Sequence, residues 1–110
     1  MTHALTISVE GKMGHIDSDD LPAMQSFVGG FVQAIDNNIE GVPFTMYANE
    51  EGKIFGLAPN VVATALVDDV IMSGDYIAGN AILLGAADSE GGNTDVPTIL
   101  VDGLTLALNA

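Results

Sequence analysis

Tyr76 to Leu84 is a nearly continuous apolar run, broken only by Gly79 and Asn80 and rich in β-forming residues. A strand with one wet face would alternate, so this run reads as an interior strand covered on both faces. The rest of the fold has to supply neighbours and covering layers for it. Ala4 to Val9 alternates, with Leu5, Ile7 and Val9 set against Thr6 and Ser8, which is the period of a half-buried strand. Gly11 and Gly14 bracket a turn, and Met13 to Ile16 returns as a short second strand.

A helix is predicted from about Asp20 to Val28. Ser18 or Asp19 can cap it, and Pro22 is tolerated in the first turn. Gly29-Gly30 ends it, since a glycine pair serves a C-cap better than a helix interior. Phe31 to Ile35 then reads as a strand, Asp36-Asn37-Asn38 and Glu40-Gly41 as turns, and Val42 to Ala48 as a strand with Phe44, Met46 and Ala48 on one face. Asn49 to Lys53 reads as a tight exposed turn, with positive φ expected at Asn49 and Gly52. Pro59 or Asn60 opens a second helix that runs past Leu66 to Val70, with Gly74 as a stop. Ala86 to Thr94 is loop-like. The tail has two readings: a helix opened by Asp95 and Pro97, or a hairpin turning at Asp102-Gly103; the helix is preferred.

The order predicts one α+β domain over residues 1–110: a mixed four- or five-stranded sheet with two or three helices packed on one face. Phe27, Phe31, Val62, Leu66, Ile82 and Leu84 are the expected core. At 48% hydrophobic and 15% charged, the chain has ample material for one. A small apolar-rich domain often leaves one face to cover, so a homodimer is a further expectation.

Several classes of function are disfavoured by composition. Fifteen acids oppose two lysines, for a formal net charge of −13. Such a surface repels nucleic-acid backbones and anionic membranes. The longest charge-free stretch, Leu21 to Ile35, is shorter than the ~18 residues of a membrane span. Met1 to Val9 has neither a basic region nor a long apolar one, so no secretory leader is expected. With no cysteine, disulfides and thiol chemistry drop out. A cytoplasmic setting fits these features.

No catalytic, metal or cofactor motif is present. Gly52-Lys53-Ile54 lacks the spacing and hydroxyl of a phosphate loop, and the Gly79–Gly85 spacing is not that of a dinucleotide fingerprint. The two histidines form no ligand pair and no triad, and His15 beside Asp17 reads as a surface pair. Asp17, Asp19 and Asp20 suit a helix start better than a calcium loop. Asp88, Glu90, Asn93 and Asp95 read as a solvated loop. The chain is therefore not expected to be an enzyme, nor to hold a metal or cofactor.

The blocks Val28-Gly29-Gly30-Phe31, Asn49-Glu50-Glu51-Gly52, Asn60 with Ala63-Thr64, and Ile77-Ala78-Gly79-Asn80-Ala81 follow one another along the chain. In this they resemble a family of small uncharacterised proteins, classed as a domain of unknown function, of phages, plasmids and actinobacteria. The resemblance spans about Phe27 to Gly85 and implies a phage or mobile-element setting, hence the cytoplasm of a host cell if phage-encoded, but no chemistry. Polar loop residues within such blocks are candidates for binding: Asn49, Glu50, Glu51, Lys53 and Asn60. Two functions follow as expectations, with a structural or regulatory role as a further alternative. One is docking of the acidic surface on a basic host protein. The other is capture of a small signalling ligand by an oligomer, in a pocket lined by Asn49–Lys53 and Leu57–Asn60.

Overall fold

In the structure, a computed structural model that describes residues 2–17, 20–90 and 92–108, the second half of the apolar run forms the middle strand of a five-stranded sheet. The strands are β1 (Ala4–Ile7), β2 (Met13–Ile16), β3 (Val32–Ile39), β4 (Val42–Asn49) and β5 (Ala81–Gly85). The helices are α1 (Leu21–Val28), α2 (Val61–Val67) and α3 (Thr98–Leu108). The sheet order is β2-β1-β5-β4-β3, and every pair is antiparallel, so the sheet is not mixed as expected. The α+β class stands.

All five residues of β5 are buried, and they alternate between two cores. Ala81 and Leu83 join Leu5, Ile7, Phe44, Met46 and Ala48 beneath Ala63 and Val67 of α2 and Leu100 and Leu104 of α3. Ile82 and Leu84 join Ala4 beneath Met24 and Val28 of α1. The helices thus lie on both faces, correcting the one-face expectation. The physical reason lies in β5 itself: a strand apolar on both sides needs a cover on each.

Local chemistry explains most boundaries. Asp20 caps α1, its side chain accepting from the Ala23 amide; Ser18 and Asp19 lie outside the described residues. Gly29 closes α1 in the left-handed region at φ 85°, with its N–H donating to the Gln25 carbonyl. Glu40 and Gly41, both at positive φ, form the two-residue turn that joins β3 to β4, as a type I′ hairpin requires. Asn60 caps α2, which ends at Val67, earlier than the Val70 periodicity predicts. Asp102 and Gly103 lie exposed inside α3, so the helical reading of the tail holds. Asp95 does not cap α3; it accepts from the His3 amide and anchors the approach to β1. Pro97 instead gives its carbonyl to the Val101 amide, the first full turn.

Three expectations fail for tertiary reasons. Asp36-Asn37-Asn38 is not a turn but the middle of β3. Asp36 accepts from the Thr45 hydroxyl across the hairpin at 2.7 Å, and Asn37 donates to the Leu66 carbonyl and to Asp69. Those partners occupy the side chains that would otherwise bond their own backbone. Phe31 is not in the core: it is 67% exposed, while Ile82 and Leu84 are fully buried and Phe27, Val62 and Leu66 are half-buried. Asp17 meets His3 at 2.6 Å, not His15 as expected.

Candidate functional site

Beyond β4 the chain turns through residues 50–56 before entering α2. This loop leaves the end of β4, and it carries most of the predicted site. Its first residue is held by the strand ladder, the Glu50 amide donating to the Phe31 carbonyl at 2.8 Å.

Asn49 and Asn60 are both internal braces. Asn49 is 6% exposed; its Nδ2 donates to the Val28 carbonyl at the end of α1, and its Oδ1 accepts from the Glu51 amide. Asn60 is 1% exposed; its Nδ2 donates to the carbonyls of Ile7 and Gly79, each at 3.0 Å, while its Oδ1 caps α2 at Ala63. Thr64 completes that junction, donating to the Asn60 carbonyl and accepting from the Ile77 amide. Neither asparagine nor Gly52 has the positive φ expected at Asn49 and Gly52; Gly56 has it instead, at 69°. Gly52 is required for space: a Cβ there would stand 2.6 Å from the Ala78 carbonyl oxygen. The blocks that carry the family resemblance are thus largely joints of the fold, where two segments touch at the backbone.

The remaining predicted residues do reach solvent. Glu50 is exposed and Glu51 half-exposed, and among the described residues neither carboxylate has a hydrogen bond or an ion pair. Lys53 is committed: its ammonium bonds the Asp75 carboxylate and sits 4.9 Å from the centre of the Tyr76 ring. Glu50, Glu51 and Lys53 border a cleft of ≈ 220 Å³ whose other walls include Gln33 and Ile35 of β3, Ile71 and Tyr76. Asn60 and Leu57 do not line it, so the two loops named from the sequence do not meet in one pocket.

Glu51 also borders a second, shallower hollow, whose walls include Gln25, Phe31 and Phe55. Phe55 is 63% exposed and Ile54, on the cleft side, 79%. Residues 50–56 therefore present two free carboxylates among exposed apolar side chains. Exposure of Phe31, Ile54 and Phe55, and the partnership of Lys53 with Asp75, were not legible in the sequence; apolar residues around a glycine pair or a turn read equally well as core.

Among the described residues, no group of three or more histidine, aspartate or glutamate side chains is arranged to hold a metal ion. In the Ala86–Thr94 loop, the Asp88 carboxylate accepts from the amides of Glu90 and Gly92, and Asn93 bridges the Tyr47 hydroxyl and the Gly85 carbonyl. Among the described residues, no helix is long and apolar enough to cross a membrane.

Comparison with curated proteins finds no match, and neither does comparison with solved structures. A family model does match, and it extends beyond the blocks quoted above to take in β1, β2 and α3. Over residues 1–107 the chain fits the family described as Domain of unknown function (DUF3846), and it belongs to that family.

Proposed function

We propose that the protein is a non-enzymatic binding protein that docks on a basic macromolecule of a host cell, as an accessory protein of a phage or mobile element. The observation that carries this reading is the composition of residues 50–56 and their surroundings. Phe31, Ile54 and Phe55 are exposed beside the free carboxylates of Glu50 and Glu51. Apolar and aromatic side chains at the centre with charge at the rim is the usual anatomy of a protein interface. The net charge of −13 adds long-range attraction for a cationic partner. The mobile-element setting comes from the resemblance of the sequence blocks, and the non-enzymatic reading from the lack of any nucleophile–base or ligand motif.

Small-molecule capture is the second reading, favoured by the cleft that Glu50, Glu51 and Lys53 border. At ≈ 220 Å³ it falls below the ~300–1,000 Å³ usual for ligand pockets, and its lysine is already paired. Docking is therefore preferred.

The test is capture from host lysate at low and high salt, with wild type beside Phe31→Ser/Phe55→Ser and Glu50→Gln/Glu51→Gln double variants. A basic protein retained by wild type, released by salt and lost from both variants is the expected result. Retention that ignores salt and both variants refutes docking at this surface. A co-purifying small molecule without a protein would move the function to the cleft.

A further inference from the structure

The sheet has one long open edge. β3 is the terminal strand in the order β2-β1-β5-β4-β3, and it runs for eight residues against four for β2 at the other end. The register shows which of its backbone groups are free. Asn38 faces Pro43 on β4, and proline has no N–H, so that pair exchanges no full set of ladder bonds. Seven residues earlier, the Glu50 amide does donate to the Phe31 carbonyl. Bonded pairs alternate along an antiparallel ladder, so the odd residues of β3 bond to β4. The amides and carbonyls of Val32, Ala34, Asp36 and Asn38 point away from the sheet. Among the described residues nothing pairs with them.

Long, unpaired edges are templates for an added strand, and proteins usually blunt them with lysine, proline or a bulge. β3 has none of these; its one charge is Asp36, in the middle. The cleft described above lies alongside this edge, since Gln33 and Ile35 form part of its wall and Glu50 and Glu51 its rim. In an added antiparallel strand, the residue opposite Ile35 would point to the cleft side of the sheet. Its neighbours would point to the side of Ala34 and Asp36.

We infer that β3 is a strand-addition site for an extended, lysine- or arginine-containing segment of a partner protein, with one basic side chain directed to the cleft between Ile35 and the carboxylates of Glu50 and Glu51. Charge selects this occupant. A second copy of the chain would bring two surfaces of −13 side by side, whereas a cationic strand neutralises Asp36, Glu50 and Glu51. Main-chain bonds along β3 supply affinity and the acidic cleft supplies specificity. This inference rests on the docking reading and adds to it the mode of recognition.

The probe is a short synthetic peptide alternating lysine and valine, with a glutamate–valine peptide as its counterpart. Fluorescence anisotropy reads binding, and amide hydrogen exchange by NMR reads its location. The lysine peptide should bind and slow exchange at Val32, Ala34, Asp36 and Asn38, while the glutamate peptide should not bind. Ala34→Pro removes an outward N–H without touching the β3–β4 ladder, so it should weaken binding by roughly tenfold or more with the melting temperature unchanged. If the proline variant does not fold, Ala34→Lys, which sets a like charge on the edge, should give the same loss. Binding that leaves those four amides unprotected but shifts Phe31 and Phe55 overturns strand addition and leaves docking standing. No binding of either peptide overturns strand addition as well, and the lysate capture still decides the broader reading separately. Protection of the same amides without peptide, with a doubled molecular mass, would assign the edge to a second copy and overturn the inference.

Discussion

The side-chain amide of Asn60 donates to the main-chain carbonyl of Ile7 at 3.0 Å, joining the start of α2 to the last residue of β1 across fifty-three positions of sequence. The same nitrogen bonds Gly79, and the oxygen caps the helix, so one nearly inaccessible side chain fastens three segments. Removing it takes the cap from the Ala63 amide and one hydrogen bond each from the carbonyls of Ile7 and Gly79. Asn60→Ala should destabilise the fold by about 3 kcal/mol, the cost of a lost cap plus two lost buried hydrogen bonds. Asn60→Asp keeps the cap but turns a carboxylate towards two carbonyl oxygens, and should cost at least as much at neutral pH. Urea unfolding of both variants measures this; a loss below about 1 kcal/mol for either would show that the junction tolerates water.

Gly52 makes a different demand. With backbone φ outside the left-handed region, it is needed because the Ala78 carbonyl oxygen occupies the place of a side chain. Gly52→Ala should destabilise by about 2 kcal/mol through forced separation of two backbone segments. It should also disturb the chemical shifts of Ile77 and Ala78, which a purely local turn effect would leave in place.

The Lys53–Asp75 pair predicts an effect of opposite sign on stability and on binding. Both side chains are about two-fifths exposed, so the ion pair is worth little. Lys53→Ala should lower stability by no more than about 1 kcal/mol, with the Tyr76 contact included. Because it frees Asp75 and removes a positive charge from the cleft, it should tighten binding of a cationic peptide. Anisotropy titrations at low salt test this; weaker binding would place the cationic partner elsewhere.

Phe31 and Phe55 separate folding from binding. Their exposure makes Phe31→Ser and Phe55→Ser nearly silent in thermal unfolding, within about 0.5 kcal/mol of wild type. Affinity for a captured basic partner should fall by at least tenfold in the double variant, as for anchors at the centre of an interface. A large loss of stability would instead mean that the two rings are packed in solution.

Local chemistry in the sequence was enough to specify most elements. The glycine pair after Val28, the Glu40-Gly41 turn and the cap at Asn60 each depend on neighbours within a few residues, and each is where backbone preference puts it. The burial of β5 on both faces is legible in the same way, because its side chains alternate between two apolar surroundings. The alternation of Ala4 to Val9 marks a strand but misjudges its burial: β1 ends at Ile7 and is buried on both faces, Thr6 included, because α1 covers one side of the sheet and α2 and α3 the other. What the sequence could not decide was which distant group satisfies a given side chain. Asp36, Asn37 and Asn38 are turn formers by type, yet Thr45, Leu66 and Asp69 supply the partners that keep Asp36 and Asn37 extended. Asn49 and Asn60 have the look of exposed binding residues, yet the backbone of α1 and β1 uses up their amides. Phe31 has the look of core, yet once Val32 to Ile39 pairs with β4 it stands outside both clusters. Local preference sets the elements because it acts within one turn of chain. The identity of the free carboxylates, the open edge and the exposed rings depends on contacts between segments far apart in sequence, and only their packing decided it.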